Sequence, residues 1–71
     1  MKKYEIIRKI CLGFLTHNDS YDMLIDPDVG HLEFDGKDMV WVDPVGDRFT
    51  SHTTNHAIDW FLKMGHIKEI K

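Results

Sequence analysis

The chain has 71 residues, a formal net charge of −3 and 42% hydrophobic residues, which allows one domain burying only about 60% of its unfolded surface and places it outside the composition of disordered segments. One cysteine, Cys11, excludes an internal disulfide, and Glu5, Arg8 and Lys9 interrupt the amino-terminal apolar residues where a signal peptide needs an unbroken run. No apolar stretch approaches the roughly 20 residues that cross a bilayer, so a cytoplasmic protein with no membrane segment is expected.

From Lys3 to Thr16 the apolar residues Tyr4, Ile7, Ile10, Cys11, Phe14 and Leu15 recur at three-and-four spacing. That periodicity predicts an amphipathic helix over about 3–16, with Lys2, Glu5, Arg8 and Lys9 on its polar side. Asn18 is a left-handed stop, and residues 18–30, with Pro27 and several aspartates, read as an acidic loop holding a short turn around Tyr21 to Ile25. His31 to Phe34 alternates polar and apolar, Asp35-Gly36 is a hairpin signal, and residues 38–42 are rich in strand formers. Asp43-Pro44-Val45-Gly46 has the pattern of a type I turn, returning a third strand over 47–50. A second helix over about 52–64 is expected, capped by Ser51 or Thr53 and ended by Gly65, with Ala57, Ile58, Trp60, Phe61, Leu62 and Met64 on its apolar arc. Trp60 and Phe61 are expected in the core, because a chain this small needs them inside. Ile67 and Ile70 form an apolar tail. The order α-β-β-β-α predicts a small single α+β domain, a three-stranded antiparallel sheet packed by two helices.

The second strand has apolar residues on both faces, Met39 and Trp41 on one and Val40 and Val42 on the other. Either helices or the 21–25 segment cover the second pair, or it is an exposed patch that meets a partner. A two-residue hairpin loop sets Leu32 and Phe34 on the face of Met39 and Trp41 but puts Glu33 opposite Asp38; a three-residue loop with a bulge swaps the faces.

Charge is segregated. Residues 18–47 hold Asp19, Asp22, Asp26, Asp28, Glu33, Asp35, Asp38, Asp43 and Asp47 against Lys37 alone. Aspartate is an ordinary turn residue, but so dense a block also suits a surface that docks on a basic groove and competes with phosphate. The expected partner-binding residues are Asp26, Asp28, Glu33, Asp35, Asp38, Met39, Trp41 and Asp43.

Other chemistry is thinner. His52, His56 and Asp59 fall at i, i+4 and i+7 and are weak candidates for zinc or iron, opposed by Lys63 on the same face. Asp59 and Lys63 also suit a helix salt bridge. Asp26-Pro27-Asp28-Val29-Gly30 fails as a calcium loop, because the fifth, sixth and twelfth positions are Gly30, His31 and Lys37. Ser51, His52 and Asp59 lack the glycine-flanked turn of a hydrolytic nucleophile. Cys11 reads as a small buried hydrophobe. The glycines stand singly, with no phosphate cradle. Lys2 and Lys9, flanked by Lys3 and Arg8, make a weak footprint for direct nucleic-acid binding at a sequence pI of about 5.9.

The sequence therefore supports a non-enzymatic protein-interaction module without cofactor. By analogy of size and charge it reads as a small phage- or mobile-element-type inhibitor that docks its acidic surface on a basic, nucleic-acid-handling protein. Two alternatives stand beside it, a homodimeric accessory module that pairs its apolar strand face with itself, and a metal site on the second helix.

Overall fold

The computed structural model describes residues 1–53 and 55–71. Its seven strands are β1 (Lys2–Ile6), β2 (Ile10–Leu15), β3 (Ser20–Ile25), β4 (His31–Phe34), β5 (Met39–Val42), β6 (Arg48–Ser51) and β7 (Ile67–Ile70), and its helix is α1 (Asn55–Lys63). The strands form one antiparallel sheet in the order β3-β2-β6-β5-β4-β1-β7, curled into a half-barrel. The expected two-helix α+β arrangement is thus overturned. Where a helix over 3–16 was expected there are two strands, the 18–30 loop contains a third, and the apolar tail is a fourth.

The reason lies in which residues are buried. Tyr4 and Ile6 in β1, and Ile10, Leu12 and Phe14 in β2, point inward at a period of two, while Ile7, Cys11 and Leu15 are exposed. Combining members of both sets reproduces a three-and-four spacing by accident. The β-branched Ile6, Ile7 and Ile10 favour the extended chain, and Gly13 in mid-segment weakens the helical alternative. Residues 7–9 turn the chain, and the N–H groups of Ile7 and Arg8 donate to the carbonyl of His66 at 2.7 and 3.1 Å.

The middle of the chain follows expectation more closely. β4 pairs β5 with Phe34 opposite Met39 and Leu32 opposite Trp41, so these four residues share the inner face. The loop between them is four residues long, which sets Glu33 opposite Val40 and avoids the like-charge pair of a two-residue loop. Asp35 Oδ1 organises it by accepting the N–H groups of Lys37 and Asp38, each at 2.8 Å. The next turn closes through Gly46 N–H to the Asp43 carbonyl at 3.0 Å, with Gly46 at φ 95°. Asp43 Oδ1 also accepts from Val45 N and Asp47 N.

β2 joins β6 at a narrow seam, with Phe14 opposite Ser51. Side chains reinforce the short ladder. The Ser51 hydroxyl donates to the Gly13 carbonyl at 2.7 Å, His52 N–H donates to the same carbonyl at 3.0 Å, and Gly13 N–H donates to Thr53 Oγ1 at 3.1 Å. Neither Ser51, which is buried in β6, nor Thr53, which serves this seam, is free in the way a dedicated helix cap would be. Aromatic rings continue across the seam, Trp41 on Phe49 at 5.5 Å, Phe49 on Phe14 at 6.4 Å and Phe14 on Tyr21 at 5.6 Å.

The helix begins later than the expected 52–64 span, and Thr54 within that span lies outside the described residues. It ends as expected at Gly65, φ 77°. His66 N–H donates to the Phe61 carbonyl and Gly65 N–H to that of Leu62, with the His66 ring edge-on to Phe61 at 6.1 Å. This is a Schellman stop with its hydrophobic contact. Ile58 is buried from α1 into the inner face, and Ala57 and Phe61 pack beside it. No described helix is long and apolar enough to cross a membrane.

Candidate protein-interaction site

The structure moves the apolar half of the expected docking surface. Met39 is 1% and Trp41 8% exposed, both in the core, and the Trp41 indole N–H donates to the Val29 carbonyl at 3.0 Å. The second apolar pair of β5 is also sheltered. Val42 is buried and Val40 half-buried on the outer face, where His31, Arg48, Glu33 and Thr50 are their cross-strand partners. Among the described residues no spare apolar face remains around Trp41.

Glu33, another expected contact, is 6% exposed. Its carboxylate accepts Arg48 Nη1 at 2.7 Å and lies 2.9 Å from His31 Nε2. Those two hydrogen bonds, that from His31 first, hold its pKa below the usual carboxylate value, against the opposing pull of burial. The sign for stability follows: a carboxylate with a depressed folded pKa stabilises the fold above its unfolded pKa and loses that contribution as pH falls through the folded value. Glu33→Gln is therefore expected to cost about 1–2 kcal/mol at pH 7, discounted for the exposure of Arg48. The gap to the parent should narrow as pH falls through the folded-state value, which urea denaturation across an acidic pH series measures.

The remaining carboxylates divide between two ends of the β4/β5 pair. Asp35 and Asp38 lie in the loop after β4. The two backbone N–H groups on Asp35, that of Asp38 foremost, lower its pKa as well. Asp26 and Asp28, before β4, and Asp43 and Asp47, after β5, share the other end, where His31 pairs with Val42. Several of these aspartates shape turns. Asp28 sits at φ 62° and its N–H donates to the Ile6 carbonyl at 3.0 Å, a conformation aspartate tolerates. Asp26 pairs with Lys9 at 3.4 Å, both exposed, while among the described residues Asp28, Asp43 and Asp47 make no ion pair.

A different apolar surface is available. On α1, Trp60 is 55% exposed, and Met64, just past the helix end, is exposed too. The apolar residues of this helix span an arc of about 200° at 100° per residue, more than one inner sheet face covers. Ile58 and Phe61 take the centre, leaving Trp60 and Met64 on one flank and Leu62 on the other. The breadth of that arc was the sequence signal that some of these residues must stay outside. The chain just past α1 and the chain around Asp26 and Asp28 both meet the residue 6–9 segment. His66, just past α1, accepts the N–H groups of Ile7 and Arg8, while Asp28 bonds Ile6 and Asp26 pairs with Lys9.

The other sequence candidates disperse. His52 lies outside α1, with its ring over Gly13, so it no longer shares a helical face with His56 and Asp59. Among the described residues no three His, Cys, Asp or Glu side chains form a ligand set, and the expected Asp59–Lys63 bridge is not among the ion pairs. Cys11 is exposed on β2 instead of buried in a helix. Lys2 and Lys3 point to opposite faces of β1, and Arg8 and Lys9 sit in the turn, which breaks up the expected basic stripe. A cleft of about 500 Å³ opens between α1 and the β1/β4 side, walled by Tyr4, Phe34, Ile58 and Leu62 and rimmed by Asp35 and Asp59. Comparison of the chain with protein-family models, curated proteins and solved structures finds no match in any of the three.

Proposed function

We propose that the chain is a non-enzymatic protein-interaction module that docks on a basic protein surface, with Trp60 and Met64 as its apolar anchor and Asp28, Asp43 and Asp47 as its steering charge. The observation that carries this reading is the half-exposed Trp60 with Met64 exposed one turn further on the same flank. Exposed tryptophan is a costly surface residue and a frequent centre of binding energy. Carboxylates on the exposed turns at Asp28, Asp43 and Asp47 accelerate encounter with a cationic partner and set its salt dependence. A groove that ordinarily holds nucleic-acid phosphate is the kind of surface such charge complements. The free, exposed Cys11 fits a reducing compartment, and the cytoplasm is the proposed location.

The test compares capture of partners from cell extract by the parent, by Trp60→Ala and by the triple variant Asp28→Lys, Asp43→Lys, Asp47→Lys. The expected result is a basic protein held by the parent and weakened about 30-fold by Trp60→Ala, as for the loss of a central anchor. Its association should slow in the triple variant and lose most of its salt dependence. Equal binding by the parent and Trp60→Ala removes the proposal.

A further inference from the structure

The cleft between α1 and the β1/β4 side opens on the flank of the helix away from Trp60. At about 100° per residue, Asp59 and Leu62, which line it, stand about 100° and 160° from Trp60 around the helix axis. Its volume of about 500 Å³ falls within the roughly 300–1,000 Å³ typical of small-molecule sites. The base of the cleft is built from the packed interior. Tyr4 and Ile58 are buried, and Phe34 is held between Lys2 of β1 and Met39 of β5 by the ladders on either side of β4. Leu62, 40% exposed, lines it from the helix. Two of these four apolar walls, Tyr4 and Phe34, are aromatic.

Three charged side chains line the same cleft, Lys2, Asp35 and Asp59. None of them joins the ion pairs of the described residues, which are Lys9–Asp26, His31–Glu33 and Arg48–Glu33. Lys2 stands opposite Phe34 in the β1/β4 register and Asp35 follows Phe34, so an ammonium and a carboxylate share one end of that ladder without pairing. Asp59 reaches the cleft from α1. The Asp35 carboxylate is fixed in place, because its Oδ1 accepts the N–H groups of Lys37 and Asp38, each at 2.8 Å. Among the described residues no hydrogen bond reaches its Oδ2, which is left for a ligand.

We infer that this cleft binds a small aromatic zwitterion of the class of a free aromatic amino acid. The ring lies against Tyr4 and Phe34, the ammonium is held by Asp35 and Asp59, and the carboxylate by Lys2. Charge decides among apolar molecules of this size. An aromatic amine leaves Lys2 unanswered, an aromatic acid brings its carboxylate towards two others, and a neutral compound satisfies neither sign; only a molecule carrying both signs complements the whole rim. The site shares no residue with the Trp60 and Met64 anchor or with Asp28, Asp43 and Asp47, and stands or falls independently of them.

Titration of the whole chain with L-phenylalanine, followed by amide nuclear magnetic resonance, tests the assignment. Saturable shifts are expected at Gly36, Asp59 and Leu62, with a Kd below about 1 mM and no change in the 43–47 turn. Phenethylamine, which lacks the carboxylate, and phenylpropionate, which lacks the ammonium, should each bind at least about 10-fold more weakly. Asp59→Asn and Lys2→Gln alter exposed side chains and leave the core intact; each is expected to weaken L-phenylalanine about 5–10-fold. The absence of saturable shifts up to about 20 mM, equal affinity for either single-charge analogue, or undiminished affinity in either variant overturns the inference.

Discussion

Replacing Trp41 by alanine is expected to cost about 3–5 kcal/mol, whereas the same change at Trp60 should alter stability by no more than about 0.5 kcal/mol. Trp41 stacks on Phe49, donates its indole N–H to the Val29 carbonyl and lies with Leu32 and Met39 in the core. Its truncation removes a ring from a close-packed interior and leaves that carbonyl without its partner. A 71-residue domain has about 4–10 kcal/mol of stability in total, so Trp41→Ala should be partly unfolded at room temperature. Trp60 is more than half in solvent and shows no ring partner among the described aromatic pairs. Denaturant midpoints of the two variants measure the contrast directly.

Gly30→Ala is the second large effect expected, a loss of about 3 kcal/mol or more. Gly30 has φ 68°, and a Cβ there would lie 2.0 Å from the Val42 carbonyl oxygen and 3.0 Å from the Trp41 indole nitrogen. Backbone cannot step aside as a side-chain tip does, so either β5 or the chain entering β4 must move. Such movement also disturbs the Trp41–Val29 hydrogen bond. Gly36→Ala is the matched control. It shares a positive φ, 96°, but has nothing within 4 Å of the added carbon, and should cost only the backbone strain of about 1 kcal/mol. Thermal melts of both variants separate collision from strain; equal losses would mean that glycine is required at position 30 by its dihedral alone.

The legible part of the sequence was the part where local chemistry and burial agree. In β4, β5 and β6 the strand formers are separated by turns that Asp35, Asp43, Pro44 and Gly46 announce, and the turn after β5 formed as its residues require. α1 and its stop at Gly65 were legible from the apolar arc and the glycine. The first two strands were not, because exposed Ile7, Cys11 and Leu15 complete a helical spacing that only the burial of Ile6 and Leu12 contradicts. β3 was hidden by Asp19, Asp22 and Asp26, which read as turn residues although Asp22 lies within the strand, and β7 by its brevity.

The candidate surface was legible in charge and not in its apolar anchor. The acidic residues at 26, 28 and 43 do lie on exposed or partly exposed chain, but several are occupied in forming turns. The expectation that strand β5 had a spare apolar face assumed a three-stranded sheet too small to shelter it. Seven curled strands hide Met39 and Trp41 on the inside, and Val42 sits beneath cross-strand neighbours on the outside. The same curl leaves α1 only one face to fill, which is why Trp60, expected inside, is the tryptophan left at the surface.

Iodide quenching of the two single-tryptophan variants tests that exchange most directly. Trp41→Phe, retaining Trp60, is expected to emit at long wavelength and to be quenched efficiently, while Trp60→Phe, retaining Trp41, should emit at shorter wavelength and resist the quencher. Equal access in both variants, or a shielded Trp60 beside an accessible Trp41, would contradict the placement of the anchor on α1.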